Sequence, residues 1–260
     1  MIEPKISLVL NTYENPPALR KVLGALEDQT DKRAEILVAD DGSGPETAKV
    51  ISEFSGRMPL QHCRQEHQGF RRSSILNQAI ARACGNYVLF LDGDSVPARE
   101  FIADHAALAE PGCWVQGRRA FIEESAVGGF RAEVWHLARL FVSGKLKGWP
   151  KAVRWPRASI RYDQGQEGIL GCNLGIWRSD LLAVNGYDET FTGWGREDAD
   201  LGNRLYHLGL RRKLVHGRAI IFHLNHPLVP RDRLGDNQVL LDQTIAERRV
   251  RARKGLDQYL

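Results

Sequence analysis

Residues 86–97 read NYVLFLDGDSVP. An unbroken apolar run, Tyr87 to Leu91, stops at Asp92-Gly93-Asp94. A short apolar run bounded by turn residues marks a strand buried on both faces, as in a parallel sheet covered by helices. In an extended chain, residues i and i+2 point to one side, so Asp92 and Asp94 can face one ligand together. Gly93 would keep the backbone close to it. Two carboxylates side by side call for a cation, and Mg²⁺ or Mn²⁺ with phosphate is the matching chemistry. A lone Asp-x-Asp also occurs as a solvated turn; its place after a buried strand favours the ligand.

The segments before it repeat the pattern. KISLVLN (5–11) is a buried strand, and TYENPPALRKVLGALEDQT follows as loop and helix, with apolar positions at Leu19, Val22, Leu23 and Leu26. AEILVADDGS is a second strand and GPETAKVISEFSG a second helix; MPLQHCRQ is a short strand and HQGFRRSSILNQAIARACG a loop and helix closed by Gly85. This alternation predicts an α/β fold with a mostly parallel central sheet flanked by helices. Such sheets bind ligands beyond the carboxyl ends of their strands. Asn11 and Thr12, Asp40 and Asp41, and Asp92 and Asp94 fall at three such ends. In Asp40-Asp41-Gly-Ser, one aspartate is expected to turn the chain and the other to read ligand.

Beyond about residue 115 the pattern changes. A basic, Trp-rich segment (131–161) precedes GILGCNLGIWRSDLLAVNGYDETF, then FTGWGREDADLG at 191–202 and the helix DADLGNRLYHLGL. A strand, AIIFHL, leads into NHP, where His223 or His226 could complete a carboxylate metal site. The last ~25 residues read as a helix with one apolar side. With no internal repeat or low-complexity linker, residues 1–115 and 116–260 are expected to be two halves of one continuous domain.

The 260 residues suffice for a full core, and 43% hydrophobic with 26% charged residues is ordinary for a globular protein. No apolar run reaches the ~18–20 residues of a membrane span, and the N-terminus makes a better first strand than a signal peptide. The expectation is a cytoplasmic protein. Cys63, Cys84, Cys113 and Cys172 contain no C-x-x-C pair, which argues against zinc and for buried reduced thiols. Net charge is only +4, but segment 131–161 is almost purely basic among its charges, and its interleaved Trp residues suggest a membrane-surface or acceptor-facing role. The basic tail ERRVRARK reads as a solvated helix face. Neither a G-x-S-x-G nucleophile nor a phosphate loop of the G-x-x-x-x-G-K-[ST] type occurs. No nucleic-acid module accompanies the basic patches, so no nucleic-acid partner is expected.

SLVLNTYENPPALRKVLGAL, EILVADDGS, HQGFRRSSILNQAIARACGNYVLFLDGDSVP and GWGREDADLGNRLYHLG together resemble family 2 glycosyltransferases of GT-A fold. The second half resembles the galactosyltransferase-type carboxyl region of bacterial chondroitin-type polymerases and animal β-1,4-galactosyltransferases. The likeness spans about residues 5–227. It implies a UDP-sugar donor, with Thr12, Tyr13 and Glu14 around uracil, Asp41 reading the base and Asp92 near the ribose. It further implies Asp94 and His223 as ligands of Mn²⁺ or Mg²⁺, Asp198 as catalytic base, and Trp194 and Glu197 lining the acceptor pocket. Asp200 would be a helix-start residue clear of substrate, and the glycines beside Trp194 would let that loop close over the donor.

This chain departs from the family where relatives often have Arg-Asn on the third helix. It reads Leu76-Asn77, and Arg71 or Arg72 would have to supply the cation. It also carries Arg196 where relatives often have Gly, a guanidinium that could select an anionic acceptor. The expected function is metal-dependent, inverting transfer from a UDP-sugar to a glycan or lipid-linked acceptor, in bacterial surface-polysaccharide synthesis. A peripheral contact with the inner membrane face is part of that expectation. The alternatives are a retaining transferase of the same fold, or a non-catalytic glycan- or membrane-binding protein on a degenerate transferase fold.

Overall fold

The computed structural model describes residues 3–155, 157–165, 168–226 and 230–260. The first apolar runs become strands β1 (Ile6–Thr12), β2 (Glu35–Asp40), β3 (Leu60–Arg64) and β4 (Tyr87–Asp92). Helices α1 (Pro16–Glu27), α2 (Pro45–Ser55) and α3 (Arg72–Arg82) connect them. Asn15 starts α1 by accepting the Ala18 N–H, and prolines at its first turn cost no hydrogen bond. All three strand pairings in the order β3-β2-β1-β4 are parallel.

Strand alternation sorts the core into two layers. Leu8, Leu10, Ile36, Val38, Leu89 and Leu91 pack with the apolar stripes of α1 and α2. Val9, Leu37, Val88 and Phe90 face the other way, onto Ile75, Leu76, Ala79 and Ile80 of α3. Burying each such side chain is worth roughly 1.5–3 kcal/mol, which is why the apolar runs take sheet interior positions.

The later strands are β5 (Ser95–Pro97), β6 (Cys113–Gln116), β7 (Arg119–Ile122), β8 (Leu146–Lys147), β9 (Ser159–Asp163), β10 (Asn173–Trp177), β11 (Arg211–His216) and β12 (Ile221–Leu224). The later helices are α4 (Phe101–Leu108), α5 (Glu124–Val127), α6 (Val134–Val142), α7 (Trp149–Ala152), α8 (Arg178–Ala183), α9 (Glu197–His207) and α10 (Leu234–Ala246). The large sheet runs β3-β2-β1-β4-β10-β6-β11-β9, so both halves of the chain build it. β10 is antiparallel to β4 and β6, and β11 is parallel to β6. Only β9 and β10 therefore oppose the rest, as a mostly parallel sheet requires. A smaller sheet, β5-β12-β7-β8, lies beside it.

Register explains the active edge. Thr12 pairs with Asp40, and Asn11 with Asp92. The strand-end acids therefore reach one edge together. No helix among the described residues is long and apolar enough to cross a membrane.

Three expectations need correction. The C-terminal helix ends at Ala246; Arg248 takes φ 48°, Ala252 N–H bonds the Val184 carbonyl, and only a 3₁₀ turn at Leu256–Tyr259 follows. Docking of this backbone on the core, with Leu256 fully buried, outweighs helix propensity. The basic tail is accordingly not a helix face, and Arg249 and Arg253 both pair with Glu247. Cys63, Cys113 and Cys172 are buried free thiols, but Cys84 is exposed, because it lies just past the last turn of α3.

Candidate active site

The end of β2 gives its two aspartates different partners. Asp40 is fully buried, accepts the Ser43 N–H at 2.8 Å and meets His62 at 2.9 Å, which turns the chain. Asp41 accepts Gln65 Nε2 at 2.5 Å and the Arg71 N–H at 2.9 Å. It thus ties the Gln-Gly-Phe loop and the start of α3 to the sheet. Burial pushes its carboxyl above the usual range, with those two hydrogen bonds opposing.

Around β1's end, Thr12 is buried and Tyr13 exposed, its ring stacked on His67 with centroids 4.6 Å apart. The resulting flat aromatic surface borders Asp41. Glu14 sits at φ 44°, and its carboxylate accepts the Gly44 N–H at 2.7 Å, at the start of α2. That contact satisfies an otherwise orphaned helix-end donor.

Asp92 and Asp94 do not share one partner. Asp92 Oδ1 receives Arg72 Nη2 at 3.2 Å. Asp94 faces His223 Nδ1 at 3.1 Å and His226 Nε2 at 3.0 Å. Gly93 serves the sheet rather than a ligand: its N–H bonds Asn11 O at 2.7 Å, and a Cβ there would come within 3.0 Å of Asn11 O and Thr12 Oγ1. Asp94, His223 and His226 form the group of candidate metal ligands among the described residues, their donor atoms all within 4.8 Å of one another. Burial alone would raise Asp94, but hydrogen bonds from both histidines more than offset it and hold the carboxyl well below its usual range. One carboxylate and two imidazoles suit a divalent ion of the Mn²⁺ kind and leave positions for phosphate oxygens. His226 joins His223 at Asp94, which spacing alone could not show. Pro227, the end of the FHLNHP motif, lies outside the described residues.

Arg72 is the residue that links the two halves. It is buried, reaches Asp198 Oδ1 at 2.9 Å and Glu197 Oε1 at 3.5 Å, and also holds Asp92. Desolvation works against its charge, but Asp198 and Asp92 keep it firmly protonated. Arg72, not Arg71, is therefore the cation that the sequence left between two candidates. Asp198 Oδ2 accepts the Gly171 N–H at 3.0 Å, fixing both carboxylate oxygens. A Cβ on Gly171 would lie 2.0 Å from Asp198 Oδ1, so any other residue there would push the Asp198 carboxylate from its place. Gly171 was visible in the sequence only as one of many glycines.

Glu197 is almost fully buried, and its Oε2 has no hydrogen-bond partner among the described residues. Desolvation, then the neighbouring Asp198 charge, push its carboxyl up to about 7. Protonation of Glu197 is thus favoured over its usual range.

The Gly-Trp-Gly turn is built differently from a loose cradle. Gly193 and Gly195 take φ 72° and 105°, and Asn237 Nδ2 of α10 holds the carbonyls of Thr192 at 3.1 Å and Gly195 at 2.8 Å. The glycines supply left-handed backbone for a turn tethered to α10. Trp194 is half-buried, with the Arg231 guanidinium 4.5 Å from its ring centroid. Arg196 is exposed at φ 76°, immediately before α9. A left-handed position explains why glycine is frequent there, and a non-glycine costs roughly 1 kcal/mol. Asp200 lies in the first turn of α9, as a helix-start acid should. It is fully buried, pairs with Arg204 at 2.7 Å and accepts Thr244 Oγ1 at 2.7 Å, locking α9 to α10.

The sequence profile of glycosyl transferase family 2 matches residues 7–162. The chain belongs to glycosyl transferase family 2. A second profile, the N-terminal domain of galactosyltransferase, matches residues 155–227, including Trp194, Asp198 and His223. Chondroitin synthase of Escherichia coli is 27% identical over 85% of this chain and 35% of its own length. The chain thus spans between 35% and 52% of the first curated relatives it matches. Among solved structures, S. aureus TarS 1–349 in complex with UDP superposes with a TM-score of 0.67 at 16% identity, covering 98% of this chain and 68% of that one. The mannosyltransferase PcManGT of Pyrobaculum calidifontis, in complex with GDP-Man and Mn²⁺, gives a TM-score of 0.64 at 17% identity, covering 95% and 65%. The fold of this family 2 glycosyltransferase domain is GT-A, as its sheet order and strand-end acids foreshadow.

Proposed function

We propose that the domain transfers a sugar from a UDP-sugar to a hydroxyl of a glycan or lipid-linked acceptor, with inversion, in the assembly of a bacterial surface polysaccharide. The observation that carries this reading is the continuous line from the Asp94–His223–His226 group through Asp92 and Arg72 to Asp198. It supports reading the Asp94 group as the cation site for a diphosphate and Asp198, joined to Asp92 by Arg72, as the carboxylate base.

Tyr13, with Asp41 beneath it, offers the base slot, and Asp92 lies where a ribose or the donor sugar passes. Asp94, His223 and His226 would hold Mn²⁺ or Mg²⁺, which when bound neutralises charge growing on the diphosphate leaving group. The acceptor oxygen attacks the anomeric carbon, its proton goes to Asp198, and the carbon–oxygen electron pair leaves with the nucleoside diphosphate. Arg72 and the Gly171 N–H orient Asp198 for that transfer. General-base assistance of this kind contributes typically ~10²–10⁴-fold. Glu197, held towards its neutral form by burial beside Asp198, leaves one carboxylate as the base and can donate a hydrogen bond to the acceptor. An acceptor oxygen deprotonated by one base, displacing the diphosphate in one step, inverts the anomeric carbon. Trp194 lines the acceptor side.

A thermal-shift panel of nucleotide sugars with and without Mn²⁺ tests the reading. A UDP-sugar should raise Tm only with metal present. No stabilisation by any nucleotide sugar plus metal would sink it. NMR of the product anomer checks inversion.

A further inference from the structure

Among the described residues, helix α6 leaves most of an apolar face uncovered. Val134, Trp135, Ala138, Phe141 and Val142 lie within an arc of roughly 120° at 100° per residue. All five are exposed, Val134 at 82% and Val142 at 86%. The opposite side, Leu137 and Leu140, is buried in the core. Phe141 also stacks on Trp149 of α7 with centroids 4.6 Å apart, and Phe130 packs between His136 and Phe222. The face is therefore rigidly mounted, not a frayed end.

Its surroundings carry one sign of charge. Between residues 131 and 161 the sequence has eight Lys or Arg and a single acid, Glu133. Arg154 and Arg161 are paired with Asp104 and Asp163. Arg131, Arg139, Lys145 and Lys147 have no ion pair among the described residues. Lys145 and Lys147 follow α6 directly, after a turn at Gly144 with φ 72°. Lys147 then pairs with Phe121, which pairs with His223. Lys147 thus sits two strand spacings, ~10 Å, from His223 of the candidate cation site.

We propose that α6 and the basic turn after it dock the domain on an anionic lipid bilayer, with Trp135, Phe141 and Val142 entering the headgroup region. Aromatic and aliphatic residues on one face, with lysine and arginine at its edge, are the pattern of an interfacial helix. A second copy of the chain fits the face poorly, because it would bring the same positive charge against it. Docking this way points the small sheet, and with it His223, towards the bilayer, where a lipid-linked acceptor would be presented. The docking itself does not depend on which sugar is transferred.

Co-sedimentation of the full chain with phosphatidylglycerol-containing and pure phosphatidylcholine vesicles tests it. Binding at least tenfold tighter to the anionic vesicles is expected, weakening at high salt. Trp135→Ser/Val142→Asp and, separately, Arg139→Glu/Lys145→Glu should each lose at least tenfold with Tm unchanged. Absent vesicle binding, equal binding to both vesicle types, or binding unaffected by the two variants overturns the proposal. So does concentration-dependent self-association, abolished by the first variant, in a chain that ignores vesicles.

Discussion

Arg72 Nη1 stands 2.9 Å from Asp198 Oδ1, although 126 residues separate them. The first residue of α3 thereby meets the second residue of α9 over the end of the sheet. The same guanidinium touches Asp92 and Glu197, so one cation balances three acids in a largely dry site.

Arg72→Met should destabilise the fold by about 3 kcal/mol at pH 7, the low end of what removing one partner of a buried pair costs. The loss should shrink at pH 5, where protonation relieves the stranded carboxylates. Urea unfolding at the two pH values measures both. An equal loss at each pH would mean that packing against Tyr187, rather than charge balance, is what Arg72 provides.

Asp198→Asn should lower kcat by ~10²–10⁴ and leave nucleotide-sugar affinity intact. Gly171→Ala should also reduce kcat, because its methyl would occupy the place of the Asp198 carboxylate. Calorimetric donor titrations beside single-turnover rates separate binding from chemistry. Full activity in Gly171→Ala would show that Asp198 works from another position.

Removing Asp94 or either histidine should weaken cation binding. Asp94→Asn is expected to cost the most, since it removes the negative charge between His223 and His226. Mn²⁺ titration followed by electron paramagnetic resonance reads this without any turnover. If His226→Ala binds Mn²⁺ like the parent chain, His226 is a neighbour of the site rather than a ligand.

Glu197 has a pH signature of defined sign. Burial beside Asp198 pushes its carboxyl up to about 7 in the folded chain, from the usual 4.5. Its contribution is fully present below pH 4.5 and is lost as pH rises towards 7. Glu197→Gln should therefore gain stability relative to the parent as pH rises through that window, by at most ~1.4 kcal/mol per pH unit. Paired denaturation curves at pH 5, 6 and 7 give the slope. A difference that does not change with pH would show that Glu197 ionises normally.

Much of the architecture was legible because its causes are local. Apolar runs such as Tyr87–Leu91 can bury both faces only as interior strands, and the stripe of Leu19, Val22, Leu23 and Leu26 can bury one face only as a helix. Acids placed just after such runs must lie at strand ends, whichever strand is neighbour to which. The sequence also held the motif order that marks the family. It misread features whose cause is distant in the chain. The C-terminal tail looks helical until its backbone docks beside Val184. Asp200 reads as a helix-start acid, and it is one, but its bond to Thr244 on α10 is not legible locally. Nor is the tether of the Gly-Trp-Gly turn, whose Thr192 and Gly195 carbonyls Asn237 holds.

By itself, then, the sequence determined the α/β alternation, the strand-end acids and the family, since burial period and turn chemistry act over a few residues. Only the tertiary structure decided that Arg72 rather than Arg71 bridges the acids, that both histidines face Asp94, and that Gly171 seats the Asp198 carboxylate. Each of these depends on which strand lies beside which, a choice made by the packing of the whole sheet and invisible to any local pattern.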